Sequence, residues 1–287
     1  MCGIEIRSIE SFEDYERCAD LQKLIWKFED RDLLPPRLYK LYSFLGGNVL
    51  GAFTGKENRL IGFTLAQPSF HAGIPSWHSN LLAVHPDFQN GGVGWRMKQA
   101  QRQDALKTGI RRITWTFDPL QARNAYFNLN RLGACVRSYI RNAYGPGSSS
   151  AVHGRLGTDR VLAEWDLDHP GVVARMEGAP DSVRALPAAE LPPVLLQWRA
   201  HRKSPCLDAR LPDRALHRFC LEIPGDFSGL LQSNIHLARE WRRKFRVLLM
   251  SAFSMGFEMN RVVRIPGEET SGPLSNSWRT FFILESC

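Results

Sequence analysis

The chain has no long apolar run. Its longest apolar stretch, around residues 247–257, contains two serines and is only about half as long as a bilayer-spanning helix. The start of the chain has no basic segment followed by an apolar one, so the sequence does not predict a signal peptide. We therefore expect no membrane span and a cytoplasmic location.

Paired-cysteine motifs are also absent. No C-x-x-C spacing occurs, which disfavours a structural zinc site or a disulfide framework. We therefore expect no metal centre and interpret most of the cysteines as small buried residues. The six cysteines are Cys2, Cys18, Cys135, Cys206, Cys220 and Cys287.

Lysine is scarce, because 29 of the 37 basic residues are arginine, and the net charge is +8. An excess of arginine suits recognition of phosphates, acidic substrates or nucleic acid, but it also fits a genome that prefers arginine codons. The densest basic cluster has helical periodicity and no interleaved aromatic residues to stack bases, so nucleic acid is not a favoured partner. The cluster comprises Arg239, Arg242, Arg243, Lys244 and Arg246.

The length of 287 residues fits one large or two small domains. Alternating and helical periodicities predict a mixture of strands and helices, and therefore an α/β fold class. The predicted strands cover residues 3–9, 48–54, 59–67, 77–84, 112–117, 134–140, 160–167, 182–186, 219–223, 257–265 and 280–284. The predicted helices cover residues 12–26, 36–43, 95–108, 121–132, 191–199 and 234–254.

One segment carries most of the functional information. The strand ending at Val84 continues as Val-His-Pro-Asp-Phe-Gln-Asn-Gly-Gly-Val-Gly, and a helix follows. A glycine-rich loop before a helix leaves several backbone N–H groups free at the positive end of the helix dipole. Such a loop can bind a diphosphate without a cationic side chain.

Gln-x-x-Gly-x-Gly after Val-x-Pro resembles the acyl-CoA-binding motif of the GNAT acyltransferase superfamily. The resemblance covers about the first half of the chain and implies a GNAT-like α/β fold, which is a mixed sheet with helices on both faces. It implies acetyl-CoA, or another acyl-CoA, as co-substrate. It also implies that backbone N–H groups of the loop hold the CoA pyrophosphate. A tight turn that merely needs glycine is the alternative interpretation. The residues implied are Gln89, Asn90, Gly91, Gly92, Val93 and Gly94, with Trp95 opening the helix.

The resemblance also implies contacts for the rest of CoA. Main-chain groups of Leu82, Ala83 and Val84 are expected beside the pantetheine arm, and a backbone N–H near Leu82 is the candidate for polarising the thioester carbonyl. Asn124 is the expected hydrogen-bond partner of the pantetheine or adenosine part.

The acid and base are less well defined by the sequence. His78 is the candidate general base, although a lone strand histidine is often structural. Asp118 could cap a helix, contact a cationic substrate, or serve as a base. GNAT enzymes often carry a tyrosine that acts as the acid, four residues before the glycine of the family's last motif. In this sequence that glycine is Gly133, and the position four residues before it is Leu129. Tyr126, almost one helical turn earlier, is the remaining candidate, and the thiolate could also leave unassisted.

These patterns suggest a GNAT domain at residues 1–145 and a C-terminal extension at 146–287 packed on it. Met255-Gly256-Phe257 after a long helix resembles the end of a GNAT domain, so the extension could be a degenerate half-GNAT unit, although helix–glycine–strand junctions are common. The predicted function is acetyl or other acyl transfer from acyl-CoA to the amine of a small molecule. An inactive acyl-CoA-binding module, or an acyltransferase acting on RNA or protein, is the alternative. The sequence leaves the oligomeric state open.

Overall fold

A computed structural model describes residues 3–55, 57–145, 156–178, 187–199, 206–266 and 278–286. The predicted strand at 182–186 lies outside these residues. Seven α-helices and twelve strands occur in the described part, and the mixed α/β class is confirmed. In chain order they are β1 (Ile4–Ser8), α1 (Phe12–Trp26), α2 (Pro36–Phe44), β2 (Asn48–Thr54), β3 (Leu60–His71), β4 (Ile74–Val84), α3 (Val93–Lys107), β5 (Arg112–Phe117), α4 (Ala122–Tyr126), β6 (Cys135–Ile140), β7 (Arg160–Asp166), α5 (Pro170–Met176), β8 (Val194–Arg199), β9 (Cys206–Ala209), β10 (Arg218–Ile223), α6 (Phe227–Ser233), α7 (Ile235–Ser254), β11 (Phe257–Pro266) and β12 (Trp278–Ser286).

The chain forms two compact units, each built from separate segments. Among the described residues, the first unit contains everything up to Trp115 and returns at Glu164–Met176. The second contains residues 116–145, 156–163 and the described residues after 176. Strands β5 and β7 each contribute residues to both units. The division at residue 145 that the sequence suggests stays a prediction about domains.

The first unit contains the strand order β1-β2-β3-β4-β5, antiparallel except for the parallel pair β4–β5. Alternate side chains of β2 and β3 face opposite sides of this sheet. On one side, Phe53 and Phe63 pack with α1 and α2, where Tyr15 stacks on Tyr39 at 5.8 Å between ring centroids. On the other side, Ile61 and its neighbours pack against α3.

The second unit contains the order β6-β11-β12-β10-β8-β9, with one parallel pair, β10–β8. The long helix α7 begins at Asn234, whose side chain accepts a hydrogen bond from the Leu237 N–H at 3.0 Å. Its apolar stripe is buried, and Phe245 lies 5.7 Å from Phe282 between ring centroids. The predicted amphipathic helix at 234–254 is therefore confirmed.

Two predicted helices are wrong in part. Residues 194–199 form the strand β8, because Pro192 and Pro193 hold the preceding chain extended and β9 and β10 are available as partners. A short apolar run does not distinguish helix from strand by its period. The predicted helix at 121–132 is α only through Tyr126 and continues as a π-helical turn over Phe127–Arg131.

A buried lysine stands out in the core of the first unit. The Nζ of Lys98 on α3 donates to Ser79 Oγ at 2.8 Å and to Gln101 Oε1 at 2.9 Å, and it lies 4.3 Å from the ring centroid of Trp115. No carboxylate pairs with Lys98 among the described residues. Burial therefore lowers the pKa of Lys98 to about 7.

This lysine makes stability depend on pH. The folded state binds the lysine proton only below about pH 7, whereas an unfolded chain binds it up to the ordinary value of 10.5. The free energy of unfolding should therefore rise as pH increases across that window, by at most roughly 1.4 kcal/mol per pH unit. Lys98→Met should raise Tm at pH 7 and flatten this slope, while Lys107→Met, at the exposed end of the same helix, should do neither. Equal pH slopes for wild type and Lys98→Met in chemical denaturation would contradict the burial argument.

The segmented first unit predicts the behaviour of a truncated chain. A fragment of residues 1–145 lacks Trp165, Leu167, Val172 and Met176, which are all buried. Trp165 packs edge-on against Trp115 at 5.8 Å between centroids. We expect this fragment to aggregate or to lose cooperative melting in calorimetry. A soluble fragment with a sharp transition would show that residues 164–176 are dispensable.

Candidate active site

The loop between β4 and α3 is braced by its own side chains. His85 Nδ1 accepts from the Asp87 N–H at 3.3 Å, and Gln89 Nε2 donates to the Val84 carbonyl at 3.0 Å. Asn90 and Gly92 adopt left-handed backbone conformations, with φ of 66° and 78°. Asn and Gly are the residues that tolerate this region best. The predicted Gln-x-x-Gly-x-Gly segment is thus a formed, exposed turn.

The first turn of α3 has no capping side chain. Gly92 occupies the N-cap position, and the first turn carries no acidic residue. The N–H groups of Val93, Gly94 and Trp95 come before the first intrahelical bond, which runs from the Arg96 N–H to the Gly92 carbonyl at 3.0 Å. A Cβ placed on Gly92 would meet no atom within 4 Å. This turn is therefore an open group of backbone donors at the positive end of a 15-residue helix.

Strands β4 and β5 pair over only two positions. Trp77 lies opposite Ile113, and His78 lies opposite Thr114. Both strands are fully described, and no later residue of β4 pairs with β5. The β3–β4 register shifts so that Asn80 is an extra residue in β4, which is a β-bulge. Bulges bend a strand and end its pairing. Leu82, Ala83 and Val84 therefore follow the bulge, in the part of β4 that pairs with β3 alone.

The candidate base, His78, lies where β4 and β5 still pair. Its Nδ1 is 2.9 Å from Thr114 Oγ1, and the side chain is half-buried. Burial, with smaller contributions from Lys98 and His71, lowers the pKa of His78 below its ordinary value of 6.5. The imidazole is therefore neutral at pH 7 and has a lone pair available to accept a proton.

The opposite face of β4 holds a polar cluster that the sequence did not predict. Ser79 Oγ donates to Gln101 Oε1 at 3.2 Å, and Gln101 Nε2 donates to Thr64 Oγ1 at 3.1 Å, beside Lys98. Successive strand residues point to opposite faces, so this cluster lies across the sheet from the His78 side chain. The sequence hints at this cluster only by placing polar residues, Lys98 and Gln101, on the side of the α3 helix where its spacing calls for apolar residues.

Asp118, a candidate substrate contact or base, is engaged in contacts of its own. In the second unit both of its oxygens accept hydrogen bonds from Arg242, at 2.7 and 2.6 Å. Oδ1 also accepts from the Leu120 N–H at 3.0 Å, which agrees with the capping alternative. The pair is buried, and these contacts favour a structural role for Asp118, while its assignment to the site stays a prediction.

Two further candidate residues, Asn124 for CoA contact and Tyr126 for catalysis, also lie in the second unit. Asn124 is exposed on α4, and its Oδ1 is 3.4 Å from Asn128 Nδ2. Tyr126 is the last residue of α4 and is half-buried. Leu129, where the resemblance would place a tyrosine, is completely buried. The assignments of Asn124 and Tyr126 stay predictions.

The described residues add two general findings. They contain no group of three or more His, Cys, Asp or Glu side chains arranged to hold a metal ion. Within the same part of the chain, no helix combines the length and apolar character needed to cross a membrane.

Comparison with known proteins gives a family match over one part of the chain. Residues 10–133 match the model of the acetyltransferase (GNAT) family, whereas no curated protein matches the chain. Among solved structures, YncA from Salmonella typhimurium with its cofactor acetyl-CoA is 16% identical, covers 58% of this chain and 95% of its own, and has a TM-score of 0.45. The ribosomal-protein-S18-alanine N-acetyltransferase from Escherichia coli is 14% identical over 57% and 94%, also with a TM-score of 0.45.

An aminoglycoside 6'-acetyltransferase type Ii is 18% identical, over 57% of this chain and 97% of its own, with a TM-score of 0.45. Similarities at this level carry no argument about a substrate. The family match does, in contrast, cover the strand, loop and helix that form the open group of backbone donors. Residues 10–133 of this chain are an acetyltransferase domain of the GNAT family.

Proposed function

We propose that this protein transfers an acetyl group from acetyl-CoA to the amine of a small molecule. One observation carries the proposal: a strand that has stopped pairing with β5 leads, through the loop of residues 85–92, into the uncapped first turn of α3. The turn offers backbone donors for a pyrophosphate, and the strand offers an unpaired edge. Both features belong to the first unit and to the family-matched residues.

The edge of β4 suits the pantetheine arm of CoA. Along a strand, backbone N–H and C=O groups point alternately to either side, so residues after the bulge direct part of their groups away from β3. These groups need partners, which an amide-containing chain such as pantetheine can provide. An N–H near Leu82 would hydrogen-bond the thioester oxygen and stabilise the charge that develops there, an effect worth about 3 kcal/mol.

His78 would act on the acceptor amine. An alkyl ammonium must lose a proton before its nitrogen can attack the thioester carbon, and the neutral imidazole can accept that proton, directly or through a water molecule. The C–N bond then forms, the C–S bond breaks, and the CoA thiolate leaves, while the second proton of the attacking nitrogen passes to the departing thiolate or to water. Because a thiol has a pKa near 8.5, this thiolate can leave without a dedicated acid.

The acceptor is the least constrained part of the proposal. The solved acetyltransferases described above act, by their names, on acceptors as different as a ribosomal-protein alanine and an aminoglycoside. Thiol release from acetyl-CoA, measured with a panel of small amines, peptides and RNA, would identify the class. CoA binding without thiol release for any acceptor would support the inactive module instead.

The CoA loop can be tested at Gly92. Gly92→Asp would place a carboxylate where we expect the pyrophosphate, so calorimetry should show CoA affinity lowered at least 100-fold. Gly92→Asn has the same shape without the charge and should lose less. Gly73→Asp is a matched control, because Gly73 also has positive φ with open space at its Cβ but lies at the β3–β4 turn. Unchanged CoA affinity in Gly92→Asp would overturn the site.

The base can be tested at His78. His78→Ala should lower kcat by roughly two orders of magnitude while leaving CoA affinity unchanged. Since burial lowers the pKa of His78, the wild-type rate should rise with pH below 6.5 and be level near neutrality. Thr114→Val removes the hydrogen-bond partner and should move that limb without abolishing turnover. Normal turnover with a lower Tm in His78→Ala would assign the histidine a structural role.

A further inference from the structure

A cavity of about 280 Å³ lies in the second unit, outside the family-matched residues. Four of its five lining side chains are arginines of α7. Counted from the first of them, the others follow three, four and seven residues later. This spacing brings the side chains together on a helix surface. The lining residues are Leu156, Arg239, Arg242, Arg243 and Arg246.

Two of these arginines are already neutralised by carboxylates. Arg242 makes the buried bidentate pair with Asp118, and Arg246 lies 2.6 Å from Asp159. Asp159 also accepts from Tyr139 Oη at 2.6 Å, so its oxygens are engaged as well. Both pairs fix their guanidinium groups at the cavity wall.

The other two arginines have no counter-charge. Arg239 and Arg243 are exposed and, within the described part of the chain, make no hydrogen bond or ion pair. They lie one helical turn apart, a distance at which like charges repel. A ligand that carries negative charge would relieve this repulsion.

The wall of the cavity therefore carries uncompensated positive charge from Arg239 and Arg243. At about 280 Å³ the cavity is slightly smaller than typical sites for drug-sized ligands, a size that suits a small anionic group.

We propose that this arginine pocket binds the phosphate group of a small-molecule ligand. Guanidinium groups bind phosphate oxygens with two parallel hydrogen bonds each, and Arg239 and Arg243 can approach one phosphate from adjacent turns of α7. The proposal is independent of acetyl transfer, because none of the lining residues belongs to the CoA loop or to β4.

The experiment uses inorganic phosphate and pyrophosphate as probes on the full chain. Titration calorimetry is done on the Gly92→Asp background, so that the α3 loop does not contribute anion binding. We expect saturable one-site binding that raises Tm by several degrees. The double variant Arg239→Gln with Arg243→Gln should lower affinity at least tenfold. Its fold should be intact, since neither side chain has a partner to lose.

A second double variant controls for overall charge. Arg261→Gln with Arg264→Gln removes two exposed arginines from β11 and leaves the pocket unaltered. Retained phosphate affinity in this control, with loss in the pocket variant, supports the proposal. Equal loss in both variants, or no saturable binding in the parent, overturns it. Binding of single-stranded RNA that the pocket variant abolishes, without any phosphate binding, would also overturn it in favour of a nucleic-acid surface.

Discussion

The architecture of the first unit depends on where hydrogen bonding between β4 and β5 stops. The two parallel strands pair only at Trp77–Ile113 and His78–Thr114, and the bulge at Asn80 follows two residues after His78. Backbone groups beyond that point must find partners outside the β4–β5 pair. The loop of residues 85–92 joins the end of the same strand to the open turn of α3, so an unpaired strand edge and a set of helix donors follow one another along the chain.

Buried charge has different effects in the two units. Lys98 is held by neutral hydroxyl and amide groups, so its burial lowers stability at every pH below its ordinary pKa of 10.5, most of all below about pH 7. Asp118 and Arg242 form a buried bidentate pair, which adds little net stability but strongly disfavours arrangements that separate its members. By fixing the rotation of α7 about its axis, that pair also determines which arginines remain on the exposed face.

Much of the secondary structure could be predicted because it depends on local signals. Ser11 accepts from the Asp14 N–H at 3.1 Å and starts α1 where the sequence indicates, and β5 has its predicted bounds. The glycine loop was recognisable because its function requires particular residue types in a fixed order. The resemblance to the GNAT family that this loop indicated is confirmed.

Features that depend on distant residues could not be predicted. Asp118 and Arg242 are 124 positions apart, and a sequence offers several equally plausible partners for each. The same holds for Asn130, whose side-chain amide exchanges two 2.8 Å hydrogen bonds with the backbone of Val262. β8 was mistaken for a helix because pairing with neighbouring strands, rather than its own residues, decides its conformation.

The segmented composition of the units has a consequence for synthesis on the ribosome. The first unit needs residues up to Met176, whereas the second unit begins at Thr116 and includes β12, which ends at Ser286. Segments of the second unit therefore emerge before the first unit is complete, and they wait for partners more than a hundred residues away. Contacts between distant residues form slowly, and unpaired strand edges are prone to aggregate in the meantime. Production of this protein should consequently favour slow translation and low temperature over rapid expression.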